Sequence, residues 1–73
     1  MNPKYKKHLK SIGVRLKRLR KERGITQQEL AYDCEVNLST IQRIEAGTQN
    51  ITLNILYTLA EVLKIKVEDF FKD

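Results

Sequence analysis

Hydrophobic residues recur along the chain at helical spacing. In the first segment they lie three or four positions apart: Tyr5, Leu9, Ile12, Leu16 and Leu19. This spacing places them on one face of a helix. Asn2 and Pro3 are suited to begin that helix, as an N-cap followed by proline at the first helical position. Gly24 is suited to end it, because glycine tolerates the left-handed conformation there.

Two short helices are predicted next. Thr26 with Glu29 three residues later forms a capping-box pattern, which predicts a second helix over about residues 27–34. Asn37 is a favourable N-cap for a third helix that ends near Gly47. Only Glu35 and Val36 lie between the end of the second helix and the cap of the third. A connection this short forces a large angle between the two helices, which is the helix-turn-helix arrangement. An ordinary helical hairpin is the alternative that this spacing leaves open.

The last third of the chain predicts two more helices. Thr52 is expected to cap a fourth helix, and a short fifth helix is expected over about residues 67–71. The inner face of the fourth helix is predicted to carry Leu53, Leu56, Leu59, Ala60 and Leu63. Because no alternating strand pattern occurs, we predict an all-α fold, a compact four- to five-helix bundle that forms one domain over residues 1–73.

The third helix has two chemically different faces. At about 100° per residue, Ile41 and Ile44 point to one side while Ser39 and Arg43 point to the other. Gln42 lies beside the polar pair, and Leu38 lies at the border. An arginine can donate two hydrogen bonds to guanine, glutamine and serine can address base edges, and leucine can contact a thymine methyl group. The alternative is an ordinary solvent-exposed face.

The charge distribution adds to the DNA-binding interpretation. Residues 1–23 hold ten of the fourteen Lys and Arg residues and one acidic residue, Glu22. Such a basic segment indicates a polyanion partner, although a solvated helix face has the same composition.

The N-terminus of the second helix, at Thr26 and Gln27, is suited to bind phosphate, unless Thr26 serves only as a cap. Arg20 and Glu45 face each other from the first and third helices, so we expect a partly buried ion pair.

Other function classes find little support in the sequence. His8 is the only histidine, and we find no metal-ligand cluster, phosphate-binding loop or nucleophile–base pair, so we expect no enzyme, metal or cofactor. The single cysteine, Cys34, fits a reducing, cytoplasmic setting. No apolar run approaches the length of a membrane span, and the basic N-terminus lacks the apolar core of a signal peptide. At 73 residues we expect one domain and no separate ligand-sensing domain.

Three stretches, VRLKRLRKERGITQQELA, STIQRIEAG and LNILYTLAEVLKIKVEDFF, resemble the Cro/repressor, or Xre-type, helix-turn-helix family. The resemblance implies that the third helix enters the major groove while the second crosses the DNA backbone. It also matches the Arg20–Glu45 pair. By the same resemblance, the base-reading positions are Leu38, Ser39, Gln42 and Arg43. The implied phosphate contacts are Thr26, Gln27, Asn37, Thr48, Gln49 and Asn50.

The chain departs from the family pattern in its connections. Glu35 and Lys64 stand where glycine is common, Ile51 stands where proline is common, and Lys66 replaces a usual capping serine or threonine. These departures leave the reading face untouched. They require Glu35 to adopt a left-handed conformation or the turn to shift.

Proteins of this type usually bind as two-fold dimers to half-sites about 34 Å apart. Ile55 and Val62 form a second apolar stripe on the fourth helix, and Phe70 and Phe71 are adjacent, so both can hardly be buried in one small core. We therefore expect a homodimer interface at these residues. The alternative is that the final helix folds back over the stripe within one monomer.

The function predicted from these features is that of a sequence-specific transcriptional regulator of double-stranded DNA, most simply a dimeric repressor that works by steric occlusion. Two alternatives fit a small protein of this shape. One is the antitoxin of a toxin–antitoxin pair, which would bind a toxin protein as well as its own operator. The other is the controller protein of a restriction-modification system. RNA binding is less well supported because the tyrosines are scattered and form no stacking platform.

Overall fold

The computed structural model describes residues 3–72, and all of its regular elements are helical. The elements are α1 (Lys6–Glu22), α2 (Gln27–Cys34), α3 (Leu38–Ala46) and α4 (Leu53–Leu63), with 3₁₀ segments at Pro3–Tyr5 and Val67–Phe71. The all-α prediction and the helix-turn-helix at α2 and α3 are therefore confirmed. The cap predicted at Asn2 lies outside the described residues, and α1 itself begins after the first 3₁₀ turn.

Side-chain caps fix where α2 and α4 begin. The Glu29 amide donates to Thr26 Oγ1 at 3.0 Å, and the Thr26 amide donates to Glu29 Oε1 at 2.8 Å, so the capping box is confirmed. The Ile55 amide donates to Thr52 Oγ1 at 3.1 Å in the same way. Asn37 occupies the N-cap position of α3, as predicted. However, no backbone amide donates a capping hydrogen bond to its side chain.

Left-handed residues end the helices and turn the chain. Gly24 and Gly47 have φ of 68° and 76°, as expected of glycines that follow a helix. Glu35 and Lys64 adopt the same conformation at φ of 57° and 58° although both carry a Cβ atom. The α2–α3 turn thus keeps its usual geometry, and Glu35 bears a conformational cost of about 1–2 kcal/mol.

One hydrophobic core lies between the four helices. Its fully buried side chains are Leu16, Leu30, Ile41, Ile44, Leu59, Leu63 and Phe70. Two predictions of burial were wrong. Tyr5 is 51% exposed because it lies in the 3₁₀ turn, where the helical phase of α1 does not apply. Leu53 is 72% exposed because it is the first residue of α4, at an end of the helix that the core does not reach.

The C-terminal segment packs back onto the monomer. It forms a 3₁₀ helix, and Phe70 is completely buried, while Arg15 Nη1 donates to the Phe70 carbonyl oxygen at 3.0 Å. The prediction that Phe70 lies in a dimer interface was therefore wrong, because its side chain has no surface to offer. Phe71 remains 59% exposed. Ile55 and Val62 are half-buried against the core, so they present less surface than we expected.

Candidate nucleic-acid interface

Gly13 sets the distance between α1 and α3. A Cβ atom at this position would lie 2.7 Å from the Glu45 carbonyl oxygen and closer still to that of Ile44. Real Cβ atoms do not approach backbone so closely, hence only glycine permits this crossing. The close approach holds the C-terminal end of α3 directly against α1.

A network of hydrogen bonds centred on Glu45 joins three helices. Arg20 donates from Nε to Glu45 Oε2 at 2.7 Å and from Nη2 to Oε1 at 3.1 Å. Gln27 Nε2 donates to the same Oε1 at 3.0 Å, and Arg20 Nη1 donates to the Ile25 carbonyl at 2.8 Å. The pKa of Arg20 is raised, chiefly by its hydrogen bonds to Glu45. The network fixes α3 relative to α1 and to the start of α2.

The outer face of α3 points away from this network. Gln42 and Arg43 are exposed, Ser39 is half-buried, and Leu38 is 38% exposed. Ala46 is also exposed on this face, one turn beyond Gln42 and three residues after Arg43. The inner face is fixed by Ile41 and Ile44, which are completely buried. Because the core holds the inner face, the exposed side chains of Gln42 and Arg43 are not needed for packing.

The charges at this face favour an anionic partner. Within the described residues the Arg43 guanidinium makes no hydrogen bond or ion pair, so its donors are available. Glu45 is the only acidic residue between positions 36 and 60. Its side chain is 4% exposed and is paired with Arg20. The outer face of α3 therefore carries the positive charge of Arg43 and no exposed carboxylate from α3 itself.

The residues expected to contact phosphate divide into two groups. Thr26 and Gln27 lie at the start of α2, and Asn37 lies at the start of α3. Gln27 already donates from Nε2 to Glu45, so it can reach phosphate only through its second amide hydrogen or its backbone N–H. The Asn37 side chain is exposed and is not used for capping, which leaves it available to a ligand.

The second group, Thr48, Gln49 and Asn50, follows α3. The Thr48 amide donates to the Arg43 carbonyl at 3.0 Å, and its hydroxyl lies 3.4 Å from the same oxygen. This closes the end of α3 and fixes the start of the loop beside Arg43. Thr48 and Asn50 are exposed, and Gln49 is half-buried.

Some structural contributions were missed by the sequence analysis. Gly13 was not singled out, because a helix-forming pattern gives no sign of a backbone contact with another helix. Ala46 was overlooked as a residue of the outer face, although its helical phase places it there. Arg23 Nε donates to the Leu63 carbonyl at 2.7 Å and thus ties the end of α1 to the end of α4.

Among the described residues, no helix is long and apolar enough to cross a membrane.

Comparison with known proteins identifies the family. The helix-turn-helix family model matches residues 16–70. An uncharacterized HTH-type transcriptional regulator of Archaeoglobus fulgidus is 37% identical over 58 residues, which is 80% of this chain and 83% of that protein. The control protein C.BamHI of Bacillus amyloliquefaciens is 32% identical over 59 residues, covering 80% and 73% of the two chains.

Solved structures agree with the sequence comparison. The restriction-modification controller protein C.AhdI from Aeromonas hydrophila superimposes with a TM-score of 0.84 at 32% identity, covering 86% of this chain and 96% of that one. The N-terminal DNA-binding domain of SinR from Bacillus subtilis gives 0.78 at 33% identity, covering 85% and 91%. The chain therefore belongs to the Xre-type helix-turn-helix transcriptional regulators, a family of DNA-binding proteins.

Proposed function

We propose that this protein is a dimeric repressor that reads the DNA major groove with α3. The observation that carries the proposal is the exposed Arg43, whose guanidinium has no partner among residues 3–72, on a helix whose opposite face packs into the core. A guanidinium held in this way can donate two hydrogen bonds to guanine O6 and N7. Ser39 and Gln42 lie beside it and supply further polar contacts to base edges or phosphates.

The second helix would position α3 on the DNA backbone. Its capped N-terminus carries the partial positive charge of the helix dipole, which favours a phosphate oxygen. Gln27 links this N-terminus to Glu45 at the far end of α3. A phosphate contact at Thr26 or Gln27 would therefore set the orientation of the reading helix, and the loop at 48–50 would add contacts near its other end.

Dimerisation is proposed through the exposed flank of α4. Leu53 and Tyr57 lie four residues apart on this helix and are 72% and 61% exposed. Val67 and Glu68 line the same groove as Tyr57, and Phe71 shares the 3₁₀ face of Glu68 because residues three apart are eclipsed. A two-fold contact between these apolar side chains would bury surface that a monomer leaves in water.

Selection of bound duplexes from random DNA tests the main proposal. We expect enrichment of a site with two inverted halves about one helical turn apart, because a two-fold dimer presents two copies of α3. Recovery of a single unrepeated half-site would contradict the dimer, and failure to enrich any sequence would contradict sequence-specific reading.

Sedimentation of Tyr57→Lys beside wild type would locate the interface, with Ile55→Lys as the test of the stripe predicted from sequence.

A restriction-modification controller is the second candidate, supported by the similarity to C.AhdI and to the control protein C.BamHI. A restriction or methyltransferase gene beside the gene of this protein would support it. An antitoxin role would instead require a neighbouring toxin gene and a toxin that copurifies with the protein. Neither neighbour would be needed by a repressor of unrelated genes.

A further inference from the structure

The first turns of α1 lie beside the end of the reading helix. At Gly47, a Cβ atom would lie 2.8 Å from Lys10 Cα and 2.7 Å from Lys10 Cγ. Gly13, three residues later on α1, meets the carbonyls of Ile44 and Glu45. Moving from Gly13 toward the N-terminus of α1 thus leads past the end of α3 and toward the loop that follows it.

The helix continues beyond this contact. α1 begins at Lys6, four residues before Lys10, which is about 6 Å farther along the axis at 1.5 Å per residue. At 100° per residue, Lys6 and Lys10 lie about 20° and 60° around the helix from Gly13. Both lysines therefore lie on the side of α1 that approaches α3. They are at the N-terminal end of α1, near the point where the loop at 48–50 follows α3.

Lys6 and Lys10 are here called the basic row, and their ammonium groups have no structural role within the described residues. Both are exposed, and neither forms an ion pair within residues 3–72. No acidic residue precedes Glu22, and none lies between Ala46 and Ala60. The family match begins at residue 16, so the basic row lies in a part of α1 that the family model does not cover.

We propose that the basic row binds the phosphate backbone of the duplex next to the phosphates approached by the loop at 48–50. This inference rests on the proposed function, because it requires α3 to lie in the major groove. The partner is double-stranded DNA, and the contact is electrostatic and independent of sequence. α1 thereby adds affinity at the C-terminal end of α3, while Arg43 and its neighbours supply the discrimination between bases.

The salt dependence of binding tests the proposal. Lys6→Gln/Lys10→Gln removes the basic row, and Arg18→Gln/Lys72→Gln is the matched control because it also removes two positive charges. Arg18 lies about 140° around α1 from Gly13, and Lys72 follows the 3₁₀ helix that packs against α1 through Arg15. Binding to a selected duplex and to a random duplex is measured by fluorescence anisotropy over a range of salt concentrations.

We expect the first variant to reduce the magnitude of the slope of log K against log salt by about 1.8 for each bound subunit, and so by about 3.6 for a dimer, since each phosphate contact contributes about 0.9. Its affinity should fall by the same factor on both duplexes, and the control should match wild type. Equal slopes in the two variants would overturn the proposal. If wild type does not discriminate between the duplexes, the proposed function fails, while the slopes on random DNA still report on the basic row.

A cleavage experiment tests the geometry independently of charge. An iron chelate attached to Lys10→Cys should cut the duplex backbone at a defined position near the site, while the same reagent on Arg18→Cys should not. Cys34 is buried, and burial raises the pKa of its thiol to about 11, so the native cysteine should remain unlabelled near neutral pH. Absence of cleavage from Lys10→Cys in a fully bound complex would overturn the proposal.

Discussion

Arg20 and Glu45 are joined by two parallel hydrogen bonds of 2.7 and 3.1 Å, and they connect α1 to the end of α3. Both side chains are nearly buried, at 9% and 4% exposure. This ion pair therefore holds α3 in place together with the hydrophobic core. Gln27 adds a third hydrogen bond to the same carboxylate.

Removing Arg20 should destabilise the fold strongly. Arg20→Ala leaves Glu45 as a buried charge without its cation, for which we expect a loss of about 3–5 kcal/mol in the free energy of unfolding. Lys17→Ala and Lys21→Ala change exposed lysines on the same helix and should each shift it by less than about 0.5 kcal/mol. Urea unfolding followed by circular dichroism makes the comparison. Equal midpoints for the three variants would contradict the structural role of the pair.

Gly13 should not tolerate a side chain. Gly13→Ala would improve helix propensity by about 1 kcal/mol, but its methyl group would collide with the carbonyls of Ile44 and Glu45. Overpacking usually costs about 1–3 kcal/mol, so after the gain in propensity the expected result is a net loss of up to about 2 kcal/mol. Ser11→Ala, at an exposed position of α1, is the control in thermal unfolding. A Gly13→Ala protein that melts at or above the wild-type temperature would show that α1 and α3 are farther apart.

The two left-handed residues offer sites of stabilisation. Lys64→Gly and Glu35→Gly each relieve a conformation that costs a side chain about 1–2 kcal/mol, offset by the greater freedom of glycine in the unfolded chain. We expect a net gain of up to about 1 kcal/mol for each variant in chemical denaturation. Lys66→Gly, at φ of −85°, should instead be neutral or destabilising. A loss of stability at both left-handed positions would argue against the conformations seen here.

Cys34 should make stability depend on pH in the alkaline range. Burial raises the pKa of its thiol from 9.0 to about 11. The folded protein therefore holds this proton more tightly than the unfolded chain, and the associated stability is fully present below pH 9 and is lost as the pH rises toward 11. Wild type should lose about 1–2 kcal/mol more over this range than Cys34→Ala. Parallel pH profiles for the two proteins would contradict the burial of the thiol.

The sequence predicted the helices well because their signals are local. Thr26, Thr52 and Gly47 act within one turn of their own helix, so caps and ends follow directly from residue type and spacing. Helical phase likewise separated Ile41 and Ile44 from Arg43. These features needed no knowledge of how distant parts of the chain meet.

What the sequence did not predict depends on contacts between distant segments. Gly13 owes its role to carbonyls more than thirty positions away, and Phe70 is buried because the C-terminal segment folds back onto α1. Leu53 satisfied the helical period of α4, but the small core does not extend to that end of the helix. The hydrogen bond from Gln27 to Glu45 also arises from tertiary packing, which residue spacing alone does not reveal.

The base-reading role of Arg43 is the central claim, and its most direct test compares two duplexes. Arg43→Ala is measured with a selected site and with random DNA at one salt concentration, beside Arg18→Ala as an exposed arginine of α1. We predict that Arg43→Ala loses about 1–3 kcal/mol of discrimination between the duplexes, whereas Arg18→Ala keeps it. An Arg43→Ala protein that binds both duplexes more weakly by the same factor would contradict the claim and would make Arg43 a phosphate contact.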